Sequence, residues 1–221
     1  MKKLLTILLA VVALTACVND GTYDGEVEMA FSDIMTFEGN DDGQIRFSFQ
    51  KAEDSPLIEI FGKGTIDEKE CPVGTRVIVS YVPESGKAYT PGPVTFRNIL
   101  RVNQGKAVVE NIEDYPEWNR DKVFLYSIWR TGSYLNLNGR IIHSDTPRHL
   151  RLVVNEKTID NAYPDAFLVH QLPEPEDNYS RTFYASFSID SIWNLPTCQG
   201  LRVHVANSNL DQNVFEFTFN K

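Results

Sequence analysis

A chain of 221 residues with 30 acidic against 21 basic side chains carries a formal charge of −9 at neutral pH. An acidic surface repels phosphate backbones, which disfavours nucleic-acid binding, and no basic amphipathic run is present to wrap a helix onto anionic lipid. The length allows one large all-β domain or two smaller ones.

Lys2 and Lys3 precede an apolar run from Leu4 to Ala16, with small residues leading to Cys17. The run is shorter than the roughly 20 residues a membrane-spanning helix needs, so it reads as a secretory signal over residues 1–16. Leu14-Thr15-Ala16-Cys17 resembles the bacterial lipobox, which implies lipidation of Cys17 and cleavage just before it. Each buried methylene contributes about 0.8 kcal/mol, so a multiply acylated Cys17 is a stable membrane tether. Loss of residues 1–16 removes two lysines and no acid, taking the charge from −9 to −11. Residues 17–29, with Asp20, Asp24, Glu26 and Glu28 among small residues, read as a flexible acidic spacer. The expected location is the cell envelope, at the outer membrane, with the periplasmic or exterior face left open.

From Phe31 onward apolar and polar residues alternate in short runs bounded by Gly, Pro, Asn and Asp, the signature of strands and turns. FSDIMTF (31–37), IRFSF (45–49), PLIEIFG (56–62), TRVIVSYV (75–82) and VTFRNILRV (94–102) are expected strands. Turn signals stand at Asn40-Asp41-Asp42-Gly43, Ser85-Gly86 and Pro91-Gly92-Pro93. Five strands in a segment this short suit a small barrel, here bounded at 30–110. VENIEDYPEWNRDK then loses alternation and gains charge around Pro116, which places a junction at 111–121. KVFLYSIW, YLNLNGRIIH, RHLRLVV, DAFLVHQL, RTFYASFSI, LRVHVAN and NVFEFTF follow, the number and spacing of runs expected of an antiparallel β-sandwich over 122–221. Phe183, Ala185, Phe187 and Ile189 share one face and Phe215, Phe217 and Phe219 another, both expected to point inward.

FSDIMTFEG, GTRVIVSYVPES and FRNILRVNQG, followed by WRTGSYLNLNGRI, HLRLVV and FLVHQLPEPEDNYSRTFYASFSIDSI, resemble the NigD-like lipoproteins of Bacteroidetes over nearly all of the mature chain. That resemblance implies an N-terminal OB-like domain followed by a C-terminal β-sandwich and an association with bacteriocin systems. It brings no catalytic motif and no catalytic residue.

The residues themselves nominate little chemistry. His143, His149, His170 and His204 lack the close spacing of a zinc site. His170 precedes Glu174, Glu176 and Asp177, which read as a solvated acidic loop, and Asn40-Asp41-Asp42-Gly43 reads as a hairpin turn, not a calcium loop. Gly62-Lys63-Gly64-Thr65 lacks the glycine spacing and the helix of a phosphate loop. There is no G-x-S-x-G elbow, so no catalytic residue, metal or cofactor is expected; a spatial carboxylate pair for glycoside hydrolysis is the remaining enzymatic alternative. Cys71 and Cys198 either join in a disulfide, as export permits, or pack as small buried hydrophobes.

The aromatics Trp118, Trp129, Trp193, Tyr89, Tyr115, Tyr134 and Tyr184 are candidates to stack on sugar or anchor a partner. Tyr115 and Trp118 in the polar junction and Tyr89 in a turn are least explained by burial and are the expected contact residues. The expected function is a lipid-anchored, non-catalytic binding or assembly accessory that contacts protein or glycan. The alternative is a bacteriocin-associated immunity or structural lipoprotein.

Overall fold

A computed structural model describes residues 29–145, 149–170 and 179–219. Cys17, the signal and all but the end of the spacer lie outside the described residues, as do Glu174, Glu176 and Asp177.

The first five strands are β1 (Phe31–Asp41), β2 (Gln44–Gln50), β3 (Leu57–Lys63), β4 (Arg76–Pro83) and β5 (Gly92–Arg101). They close into a barrel in the order β1-β2-β3-β5-β4, the small Greek-key arrangement of an OB-like domain. The β1–β2 hairpin turns on Asp42 and Gly43, with φ of 47° and 73°, and Asp41 faces Gln44 across it. Two consecutive positive φ values define the primed two-residue turn that Asp-Gly favours. Alternation sends Met35, Phe37, Phe47, Val79 and Tyr81 into a closed core. The weakest seam joins β3 to β5 in parallel at Ile60–Gly92 and Phe61–Pro93.

The chain leaves the barrel at Arg101 and not at 110. β6 (Asn103–Lys106) pairs with β12 (Ser180–Ser188), and β7 (Val108–Glu110) pairs with β10 (Arg151–Asn155), so the last stretch assigned to the barrel supplies one strand to each sandwich sheet. Packing explains this: Ala107 is buried in the sandwich core, and Gly105 lies against the Phe187 ring, where a Cβ would stand 3.4 Å from Cδ1.

The sandwich pairs a four-stranded sheet, β6-β12-β9-β8, with a five-stranded one, β14-β13-β11-β10-β7. Here β8 is Phe124–Thr131, β9 Tyr134–Ile142, β11 Asp165–Val169, β13 Gly200–His204 and β14 Val214–Thr218. Leu135, Leu137, Leu152, Phe187, Leu201 and Val203 fill the space between them. Phe183, Ala185, Phe187 and Ile189 point into this core as alternation requires, and Phe215 and Phe217 pack against its margin from the edge strand. The β6–β12, β7–β10 and β11–β13 pairs are parallel, a property of connection geometry that alternation does not encode. The outer face of the four-stranded sheet is polar, with Asn136, Ser186 and Tyr184 projecting from it, and the barrel covers it.

Candidate functional site

The two units are joined by two buried arginines. Arg130 at the end of β8 has a fully buried side chain and donates to Asp54 Oδ1 and Oδ2 at 2.8 and 2.9 Å, a bidentate pair across the boundary. The Gly132 and Thr218 carbonyls accept from it at 2.9 and 3.3 Å, and its guanidinium lies 4.6 Å from the Trp193 ring centroid. Beside it the Gly132 N–H donates to the Glu53 carbonyl at 2.6 Å. Gly132 has φ of 54°, the left-handed region that favours glycine, and a Cβ there would stand 2.0 Å from Gln50 Oε1, so that side chain would have to move.

Arg76 at the start of β4 is the second anchor. It donates to Ser186 Oγ at 3.1 Å, Thr36 Oγ1 at 2.9 Å and the Ile34 carbonyl at 3.2 Å, and stacks 4.1 Å over Tyr134. Burial lowers its pKa to about 10, so it stays charged at neutral pH. Ser186 passes its own hydrogen to Asn136 Oδ1 at 2.8 Å, and Asn136 donates to Thr131 Oγ1 at 2.9 Å. This buried polar chain crosses the interface and ends in the wall of a cleft.

The cleft holds about 210 Å³ between barrel and sandwich. Ser32, Asp33 and Lys51 line it from the barrel; Trp129, Thr131 and Tyr184 line it from the four-stranded sheet. Asp33 shares the inward register of Phe31, Met35 and Phe37, so β1 delivers a carboxylate to the barrel's mouth and not to open solvent. Burial raises its pKa above the ordinary 3.8; the Tyr81 hydroxyl, donating at 3.3 Å, and the positive charge of Lys51 oppose that rise. Tyr81 is itself pushed up, chiefly by burial and then by Asp33, so its hydroxyl remains a donor. Lys51 Nζ sits 4.4 Å over the Tyr89 ring. A half-buried carboxylate, an indole and a phenol lining one cleft are groups suited to binding; glycosidic cleavage needs a second carboxylate, and among the described residues Asp33 is the one carboxylate that lines it.

A larger depression of about 510 Å³ lies on the barrel wall beside the β3–β5 seam, bordered by Glu38, Arg46, Leu57, Glu59 and Phe61. Its charges are largely answered within the chain: Arg46 bonds Asp41 at 2.7 Å, and Ser48 donates to Glu38.

The expected contact residues are not brought together. Tyr89, with φ of 56°, packs against Phe31 and Phe49 at centroid distances of 6.1 and 6.4 Å, beside the cleft mouth. Trp118 stands edge-on to Phe167 at 5.0 Å, and Phe167 stacks on His204 at 4.3 Å. Tyr115 donates to Glu110 and accepts from Arg151 at 2.5 Å. Tyr115 and Trp118 thus fasten the junction onto the five-stranded sheet, on strands that do not line the cleft.

Cys71 and Cys198 are not joined: Cys71 belongs to the barrel core and Cys198 to the sandwich core, where its thiol donates to the Gly200 carbonyl at 3.1 Å. Separate enclosure in two cores keeps them apart. The histidines scatter too, His204 bonding Asp165 at 2.9 Å while His143 stacks on Tyr179 at 4.8 Å. Among the described residues no group of three or more His, Cys, Asp or Glu is placed to hold a metal. Asp33, Arg76 and Arg130 escaped sequence reading, yet FSDIMTF carries a signal for the first: a charged residue at a core-facing position of an alternating strand.

No family model matches the chain, and no curated protein matches it. Solved structures do. A protein of unknown function from Bacteroides vulgatus ATCC 8482 aligns with a TM-score of 0.68 at 16% identity, covering 87% of this chain and 92% of the other. A NigD-like immunity protein from Bacteroides caccae ATCC 43185 aligns at 0.58 and 16% identity, covering 84% and 90%. A protein from Bacteroides fragilis NCTC 9343 described as a lipoprotein aligns at 0.57 and 8% identity, covering 86% and 96%. The chain therefore shares the all-β fold of a NigD-like protein across both units, as the sequence resemblance implied. None of these three is named as an enzyme.

Proposed function

We propose that the protein is a lipid-anchored accessory of the cell envelope, tethered through Cys17, that binds a protein or glycan partner without catalysis. The observation that carries this reading is the cleft between barrel and sandwich, which Trp129 and Tyr184 line together with the partly buried Asp33. Aromatic anchors with a few convergent polar groups bind ligands, and a lone carboxylate does not supply both roles in glycoside hydrolysis. The partner surface is Trp129 and Tyr184, with Tyr89 at the rim. Tyr115 and Trp118 contribute by holding the junction in place.

The test is titration of the full chain in detergent with envelope glycan fragments and with peptides, each ligand being recovered and weighed afterwards. Saturable binding that is lost in Trp129→Ala and Tyr184→Ala, with the ligand intact, supports the reading. Ligand turnover, or binding indifferent to both substitutions, refutes it.

The shared fold with a NigD-like immunity protein favours a second reading, an immunity lipoprotein of a bacteriocin system. Deletion of the protein then changes sensitivity to the toxin, with no affinity for glycan. Unchanged sensitivity removes that reading.

A further inference from the structure

Asp33 is unusual among the charged groups of the described residues. It is drawn into the barrel mouth by strand register, its hydroxyl partner Tyr81 stands at the long distance of 3.3 Å, and among the described residues no ion pair is formed to it within 4 Å. A carboxylate has about four acceptor positions, so most of its capacity is unused. Burying such a group is unfavourable until an opposite charge answers it.

The surroundings suit a cation. Trp129 and Tyr184 line the same cleft as Asp33, the Tyr81 hydroxyl reaches the carboxylate, and the chain's own Lys51 already seats its ammonium over Tyr89 at 4.4 Å. That contact shows that the Tyr89 ring accepts a positive charge, and it holds Lys51 on the ring and not on the carboxylate. The net charge of −9 steers cations toward the molecule and repels anions. A cleft of about 210 Å³ is small for an oligosaccharide or a drug-sized ligand, but holds one side chain.

Resting on the binding role proposed above, we infer that the cleft takes a single cationic side chain, the guanidinium of an arginine from a basic partner protein, with Asp33 as its specificity determinant and Trp129 and Tyr184 as its walls. A guanidinium supplies planar paired donors to a carboxylate and stacks on aromatic faces, which an ammonium does less well.

The experiment titrates the full chain in detergent at pH 7 with acetyl-Gly-Arg-Gly-amide and with its citrulline counterpart, which keeps shape and loses charge. The arginine peptide is expected to bind at least tenfold more tightly, and Asp33→Asn to bring the ratio to about one. Lys51→Ala is expected to strengthen arginine binding by removing a competing cation, a gain that a folding defect does not produce. Equal binding of the two peptides, or a preference that survives Asp33→Asn, overturns the inference. A neutral trisaccharide, chitotriose, separates the two levels. If chitotriose binds in a Trp129-dependent manner and arginine shows no preference, the inference falls and the binding role stands. If neither probe binds through the cleft, both fall.

Discussion

Replacing Asp54 with asparagine leaves the Arg130 guanidinium buried without its bidentate carboxylate. Breaking a buried pair by removing one partner costs about 3–5 kcal/mol. Two features reduce that figure here. The Asp54 side chain is 29% exposed, and the Glu53 carboxylate stands by at 3.6 Å from Nη2. A loss of about 2–3 kcal/mol follows, which for a unit of this size lowers the melting temperature by roughly 5–10 °C. Urea unfolding followed by tryptophan fluorescence suits the measurement, because Trp193 lies 4.6 Å from the guanidinium and reports the latch directly. Arg130→Met removes the stranded charge and keeps the contact with Trp193 and Phe219. The double variant Asp54→Asn/Arg130→Met is therefore expected to be more stable than the sum of its parts by about 2 kcal/mol. A single-variant loss below about 0.5 kcal/mol, or strict additivity in the cycle, would refute the view that this pair locks barrel to sandwich.

Four further outcomes follow from the same geometry. Because burial raises the Asp33 pKa, the folded state favours its protonated form; this contribution to stability is full below the ordinary 3.8 and is lost as pH rises through the raised value. Asp33→Asn is expected to raise the melting temperature at pH 7 and to flatten its fall between pH 4 and 7; an unchanged profile contradicts the assigned environment. Gly132→Ala forces a Cβ toward Gln50 at a positive φ, and calorimetry should record a destabilisation of about 1–2 kcal/mol, whereas a neutral result would mean the Glu53–Gly132 contact is loose. Arg76→Lys loses the stacking on Tyr134 and the fork reaching Ser186, Thr36 and Ile34, for an expected cost of about 1–3 kcal/mol by urea titration; unchanged stability removes Arg76 as an anchor. Cys71 and Cys198 should resist a thiol reagent in native protein and both react after unfolding without reductant, while neither reacting on such unfolding would contradict the two separate cores.

The strands of the barrel were legible because each of its runs alternates cleanly and ends in turn chemistry of known geometry, as Asp42-Gly43 shows. Residues 103–110 were not, because NQGKAVVE carries too little alternation to say which unit its two short strands join; Ala107 and the Phe187 ring decide that, and they lie about 80 residues apart in sequence. The parallel pairings were hidden for a related reason: period-two patterning fixes which face a residue takes and is silent on which strand lies beside it. At the site, sequence reading ranked aromatics by how poorly burial explained them. That ranking favoured Tyr115 and Trp118, whose explanation is a long-range contact with Glu110, Arg151 and Phe167. Tyr184 lies opposite the Phe183 and Phe187 face, as alternation along β12 dictates, and the barrel that partly covers it is a long-range feature that alternation does not carry.

The cleft between barrel and sandwich is the proposed meeting place of the protein and its partner. A photo-crosslinking residue introduced at Trp129 in intact cells tests this directly, with substitutions at Phe61 on the barrel wall and at Val109 on the five-stranded sheet as controls. A discrete adduct from Trp129 is expected, one that disappears with Asp33→Asn and is absent from both controls. Adducts from Phe61 or Val109 with none from Trp129 would contradict it and move the partner to another face.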